Sequence, residues 1–173
     1  VMGALMQFRD ELAQQHQHPS FAVNVPTLNL GCLRAGDNPN RICGHAELQI
    51  DLRLLPGMDS DAIHKQFEQR CHDAVAGSHT QLTVSTVYPP IPPFESAADG
   101  ELTTTLAALS GKAPGTVAFG TEAHFLQTLG MQTVVWGPGS IDQAHQPNEY
   151  LEQSHIRPAI ETLQQVIGRY CLA

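Results

Sequence analysis

Three short stretches of this 173-residue chain carry side chains whose chemistry goes beyond packing. The richest is WGPGSIDQAHQPNEYLE, residues 136–152. An apolar run enters a Gly-Pro-Gly turn, then a loop with Asp142, His145, Asn148 and Glu149, then a helix. Loops at the C-terminal ends of parallel strands are where α/β proteins place ligands. An imidazole there could bind a metal or move a proton, and a solvated loop histidine is the plain alternative. The second stretch is FGTEAHF, residues 119–125. A strand ends at Gly120, and Thr121 and Glu122 open a helix whose free N–H groups could hold a carboxylate or an oxyanion. Glu122 could equally serve the helix dipole, and His124 sits at a helical spacing that points elsewhere. The third is GDNPNRICGHAELQIDLR, residues 36–53. Asn40 and Arg41 lie at a turn, and Arg53 lies on the polar face of a strand. A guanidinium clamps a carboxylate through two parallel hydrogen bonds, while a surface ion pair with Glu47 or Asp51 would account for it as well. None of these stretches closes a site. HExxH, GxSxG, a Walker loop and closely paired ligands are all absent from the sequence.

These side chains need elements to hold them. The start, VMGALMQFRDELAQQH, reads as an amphipathic helix with Met2, Leu5, Met6 and Leu12 near one face. TLNLGCL, residues 27–33, alternates with Leu28, Leu30 and Cys32 on one side. GHAELQIDLRL, residues 44–54, alternates throughout. Ala46, Leu48, Ile50, Leu52 and Leu54 point one way, and His45, Glu47, Gln49, Asp51 and Arg53 the other. A half-buried antiparallel strand fits that pattern. Pro56 and Gly57 end it, Asp59 or Ser60 caps the next helix, and Ile63, Phe67, Cys71 and Ala74 form that helix's stripe. QLTVSTVY, residues 81–88, reads as a closing strand. Helix, strand, strand, helix, strand is a ferredoxin-like βαββαβ unit lacking its first strand, and it spans residues 1–90.

PPIPP, residues 89–93, opens a stiff, extended linker placed at 91–98. The second unit, 99–173, begins with the helix ELTTTLAAL, where Leu102, Leu106 and Leu109 are in phase and Gly111 stops the helix. GTVAF reads as a strand, EAHFLQTLG as a helix and QTVVW as another strand, which suggests a parallel crossover. The last helix repeats Ile156, Ala159, Ile160, Leu163, Val166, Ile167 and Tyr170 at threes and fours, with Pro158 in its first turn. The fold class expected is α+β in the first unit and part of an α/β domain in the second. A parallel sheet wants helices on both faces, so the second unit is too small to stand as a complete α/β domain.

Composition narrows the partners. The net charge is −8 and only 15% of residues are charged, which argues against a nucleic-acid surface or an anionic membrane. No apolar run approaches the roughly 18 residues that span a bilayer. The start carries Arg9, Asp10 and Glu11 and has no basic leader, so it does not read as a signal peptide. Cys32, Cys43, Cys71 and Cys171 follow neither CxxC nor a dense secreted spacing. Three of the four sit in apolar patterns, so buried free thiols are the default reading, ahead of a disulfide or a thiolate metal site, and this is consistent with a cytoplasmic location.

PTLNLG, NRICGHAELQIDLRLLPGM, PPIPPFE, GTEAHFLQTLG and GPGSIDQAHQPNEYLE occur in one order across nearly the whole chain. Together they resemble the acetylornithine deacetylase family, which is grouped with succinyl-diaminopimelate desuccinylase, aminoacylase and carboxypeptidase G. The resemblance implies an α/β catalytic domain holding two divalent ions, zinc or cobalt, with a ferredoxin-like lid inserted that makes the homodimer. Residues 1–90 would be most of the lid and 99–173 the returning C-terminal portion of the catalytic domain. His145 matches the family's last metal ligand, and Arg53 the lid arginine that grips the substrate's α-carboxylate. Asn40 matches a lid asparagine near the substrate. Gly120 and Thr121 match a segment touching the substrate carboxylate, and Glu122 is typical of the deacetylase branch.

The family's other ligands, its general-base Glu and its lid histidine have no counterpart here, and the resemblance places them upstream of residue 1. The implied reaction is metal-assisted amide hydrolysis, in which the metals lower the pKa of a bridging water and polarise the acetyl carbonyl. The substrate would be N-acetylornithine, cleaved to ornithine and acetate for arginine biosynthesis, or another N-acyl amino acid. By itself the chain is expected to hold no metal and to act at most as a dimerisation or binding module.

Overall fold

In the computed structural model, residues 1–172 are described, and they form two compact units. The first comprises Val1–Phe94 together with Thr116–Gly120, and the second comprises Glu95–Gly115 and the chain from Thr121 onward. The break after Phe94 falls inside the Pro-rich segment.

The first unit is built on one hairpin. Strand β1 (Thr27–Ala35) pairs antiparallel with β2 (Ala46–Arg53), from Thr27 opposite Arg53 to Ala35 opposite Ala46. The register shifts between Leu30 and Cys32, so Gly31 is an extra residue in β1. The alternation read in β2 is present, with Leu48, Ile50 and Leu52 half-buried and Glu47, Gln49, Asp51 and Arg53 exposed. Helices α1 (Met2–Gln15) and α2 (Ser60–Asp73) cover the apolar face. Asp59 caps α2, its carboxylate accepting from the Ala62 N–H at 3.0 Å. The core is Leu5, Phe8, Leu12, Leu28, Ile63 and Cys71, with Phe67 packed beside it.

Three expectations for this unit are corrected. On α1, Met2 and Met6 are exposed, and Phe8 takes the central place. The helix meets the sheet and α2 along the line Leu5, Phe8, Leu12, at steps of three and four. Residues 81–88 are not a strand, although Leu82 and Val84 pack on the core. A strand requires a hydrogen-bonded neighbour, and among the described residues the only sheet is the β1–β2 pair. Of the four thiols only Cys71 is buried, and that burial pushes its pKa up. Cys32 is half-buried, Cys43 sits in the exposed turn of the hairpin, and Cys171 lies at an exposed helix end.

One ion pair ties the two helices. Arg70 of α2 reaches Glu11 of α1 with both terminal nitrogens, and its guanidinium lies 5.6 Å from the centroid of the Phe8 ring. The hydrogen bond from Arg70 holds the Glu11 carboxyl below its ordinary value of 4.5, against a smaller opposing effect of burial. A carboxyl whose pKa is depressed by folding adds stability above its unfolded pKa and loses it as pH falls through the folded one. The melting temperature of Glu11→Gln should therefore lie below that of the native chain at neutral pH. The gap should close as the pH drops below 4.5. Parallel melting curves across pH 2–7 test this, and a gap that persists or widens in acid would refute it.

The second unit is helical. Helix α3 (Glu101–Ser110) ends at Gly111, whose φ of 67° is the left-handed cap that glycine adopts without strain. Helix α4 (Ala123–Thr128) is short, and α5 (Gln153–Cys171) is the longest element. Helices α3 and α5 pack through buried Leu106, Ala159 and Thr162. Arg169 reaches Glu101 at 3.2 Å, and Tyr170 donates to the Thr105 hydroxyl at 3.1 Å. GTVAF and QTVVW are not strands, and the described residues contain no parallel crossover. Neither run pairs with a neighbouring strand, and Ala118 and Phe119 form a bend. Pro158 is the sixth residue of α5 rather than part of its first turn, because the helix starts at Gln153. Along the periodic stripe of α5 Ala159 is buried, whereas Ile156, Ile160, Leu163 and Ile167 are each 42–50% exposed. No helix among the described residues is long and apolar enough to cross a membrane.

Candidate functional site

Arg53 ends β2 on its polar face, opposite Thr27 of β1. Its Nε donates to Asp51 Oδ2 at 2.7 Å, and its Nη1 donates to the Ala118 carbonyl at 3.0 Å. The ion pair with Asp51 read as an alternative is therefore present. Among the described residues Nη2 has no partner, so that edge of the fork is open. Both charged side chains are more than half exposed.

Asn40 lies at the other end of the hairpin, in the turn beyond Ala35 and Ala46. Its backbone N–H donates to Asn38 Oδ1 at 3.2 Å, and the neighbouring Arg41 is paired with Asp37 at 2.7 Å. Seven residue steps of β2 separate Ala46 from Arg53, roughly 23 Å at about 3.3 Å per residue. One small substrate therefore cannot touch Asn40 and Arg53 of the same chain. The fold brings Arg53 instead to the segment 116–120, which leads into Gly120. Nothing in the packing demands glycine there, since an added Cβ would meet only Ile91 at 3.9 Å.

Thr121 precedes α4, and its hydroxyl accepts from the Ala123 N–H at 3.2 Å. Glu122 stands at the N-cap of α4, exposed and with no side-chain bond to the helix. His124 is buried, its ring lies 4.0 Å from that of Phe125, and its Nε2 has no hydrogen-bond partner.

His145 is set apart by its backbone. Its φ of 61° makes it the one non-glycine residue with positive φ among the described residues. That region costs a side-chain-bearing residue energy and persists where neighbours impose it. The neighbouring Glu149 carboxylate accepts from the His145 N–H at 3.0 Å. The short 3-10 turn Ile141–Gln143, with the Ser140 hydroxyl accepting from the Asp142 N–H, leads into this loop. The imidazole lies on an exposed residue.

A two-metal centre needs several donors converging on each ion. Among the described residues no three His, Cys, Asp or Glu side chains gather closely enough to hold one. The loop offers one imidazole, His145, so the donors present do not fit a dinuclear site by themselves. Of the two Arg53 partners, Asp51 was one of the two ion-pair candidates in the sequence. The Ala118 carbonyl escaped the sequence reading, because a backbone acceptor 65 residues away has no side-chain signal at all.

Comparison with known proteins gives these positions a context. Residues 1–78 match the family model of the peptidase dimerisation domain. Acetylornithine deacetylase of Aliivibrio fischeri (strain MJ11) is 40% identical over 171 residues, 99% of this chain and 45% of that protein. The chain resembles the C-terminal part of acetylornithine deacetylase. The acetylornithine deacetylases of Vibrio atlanticus (strain LGP32) and Klebsiella pneumoniae (strain 342) are 41% and 42% identical over the same length. The chain spans slightly less than half the length of these curated relatives. The similarity to acetylornithine deacetylase runs through both units, and the dimerisation-domain match contains α1, α2 and the Arg53-bearing hairpin.

Proposed function

We propose that the protein carrying this chain hydrolyses the acetyl amide of N-acetylornithine, releasing ornithine and acetate in the cytoplasm for arginine biosynthesis. The observation that carries this reading is the 40–42% identity to acetylornithine deacetylases over 99% of the chain. In it, the open edge of Arg53 binds the substrate's α-carboxylate, with Gly120, Thr121 and Glu122 next to that group in the full enzyme. Two divalent ions, zinc or cobalt, belong to the same reading. Of their ligands this chain supplies His145, and the others come from the part of the protein that the relatives have beyond this match. The first unit, as a peptidase dimerisation domain, joins two copies into a homodimer. Turnover of N-acetylornithine at higher kcat/KM than N-acetylcitrulline or succinyl-diaminopimelate supports the substrate assignment. A reversed order refutes it.

A second reading concerns the 173 residues alone, which would bind or dimerise without catalysis. The half-exposed apolar stripe of α5 favours it, because a face of that kind usually meets a partner surface. Elemental analysis of the isolated chain, with turnover assayed on the same sample, is expected to find close to zero metal and no activity. About two ions per chain with turnover would place a complete site within these residues and overturn that reading.

A further inference from the structure

We propose that Asp51 is a positioning residue that, with the Ala118 carbonyl, fixes the guanidinium of Arg53 so that its remaining edge meets a substrate carboxylate. The inference rests on the reading above that Arg53 binds that carboxylate, and it names what aims it. Side chains two apart on a strand lie on one face, about 6.6 Å along the chain. A short carboxylate can therefore reach back to the Nε of the arginine beyond it. Asp51 does so at 2.7 Å, and the Ala118 carbonyl takes one Nη1 hydrogen at 3.0 Å from the opposite direction in sequence. Two of the five N–H donors of the fork are thereby used. The planar group is held by bonds on two of its three nitrogens, while Nη2 has no protein partner among the described residues.

A free arginine must be immobilised when it binds, and that ordering weakens the complex. A braced one has already lost that freedom. The pair is a poor candidate for a stabilising role, since side chains 58% and 55% exposed form an ion pair of the solvent-screened kind. Its use lies in direction. With Nε occupied by Asp51, a two-point contact to an incoming carboxylate is steered to the terminal nitrogens.

The test uses the full-length, metal-loaded enzyme. Asp51→Ala should raise KM for N-acetylornithine about tenfold, the effect of losing one good oriented interaction, with kcat within about twofold of the parent and an unchanged melting temperature. Asp51→Asn, whose amide oxygen still accepts from Nε, should recover most of that loss. The carboxamide of N-acetylornithine, which lacks the carboxylate, should be turned over alike by the parent and Asp51→Ala. In an Arg53→Ala background, Asp51→Ala should add nothing further, because the two act as one unit. If Arg53→Ala raises KM but Asp51→Ala does not, the brace is wrong and the carboxylate role of Arg53 stands. If Arg53→Ala itself leaves KM unchanged, the underlying reading fails and the brace with it. A fall in kcat alone, or a lowered melting temperature in Asp51→Ala, overturns the positioning role.

Discussion

In the full-length enzyme, His145→Gly is expected to lose one divalent ion per chain and more than about a hundredfold in kcat/KM. Outer-shell partners of metal ligands already cost 10–100-fold when removed, and a direct ligand should cost more. Glycine is the informative substitution because His145 has a φ of 61°. It removes the imidazole while relieving the left-handed backbone, so the loop geometry should survive and the melting temperature should hold or rise. His145→Ala removes the same imidazole but keeps the backbone cost. Equal losses in the two variants would identify the ring rather than the turn as the active part. Retention of both ions and full activity in His145→Gly, measured by elemental analysis and steady-state kinetics, would end the ligand assignment.

Phe8→Ala should destabilise the first unit by about 3–5 kcal/mol, the range for truncating a buried aromatic side chain. Phe8 is 2% exposed, lies between Leu5 and Leu12 in the core and carries the Arg70 guanidinium over its ring. The substitution therefore opens a cavity and removes the surface under the Glu11–Arg70 pair. Met6→Ala, at a position 36% exposed, should cost far less. Urea unfolding of the two variants side by side decides it. A loss below about 1 kcal/mol for Phe8→Ala, or a larger loss for Met6→Ala, would mean that α1 buries a different face.

The two α1 residues show where periodicity reaches its limit. Met2, Leu5, Met6 and Leu12 and the line Leu5, Phe8, Leu12 both fit a helical period, and hydrophobicity does not choose between overlapping stripes. What chooses is the direction from which β1, β2 and α2 approach. The alternation of Ala46–Arg53 left no such freedom, because a one-residue slip would turn four charged or polar side chains, Glu47, Gln49, Asp51 and Arg53, into the core. That strand was legible to within two residues at its start and one at its end, the cap was narrowed to Asp59 or Ser60, and the Gly111 stop was legible, because their causes are local hydrogen bonds and a local φ.

The runs 81–88, 115–119 and 132–136 mark the opposite case. Their composition favours strands, but a strand exists only when a second backbone supplies its hydrogen bonds, and no such neighbour lies among the described residues.

The candidate site divides along the same line. Residue types mark Arg53 as able to clamp a carboxylate and His145 as able to bind a metal or move a proton, but they leave a surface ion pair and a solvated loop histidine equally open, and the specific roles come from the family resemblance. The sequence also contains the motifs by which the family is recognised. Tertiary structure alone decided that Asn40 and Arg53 lie at opposite ends of one hairpin, that the Ala118 carbonyl braces Arg53 from 65 residues away, and that the Glu149 carboxylate accepts from the N–H of His145 in its left-handed turn. Those are facts of distance between groups remote in sequence or of one backbone torsion, and the identities of the residues do not encode either.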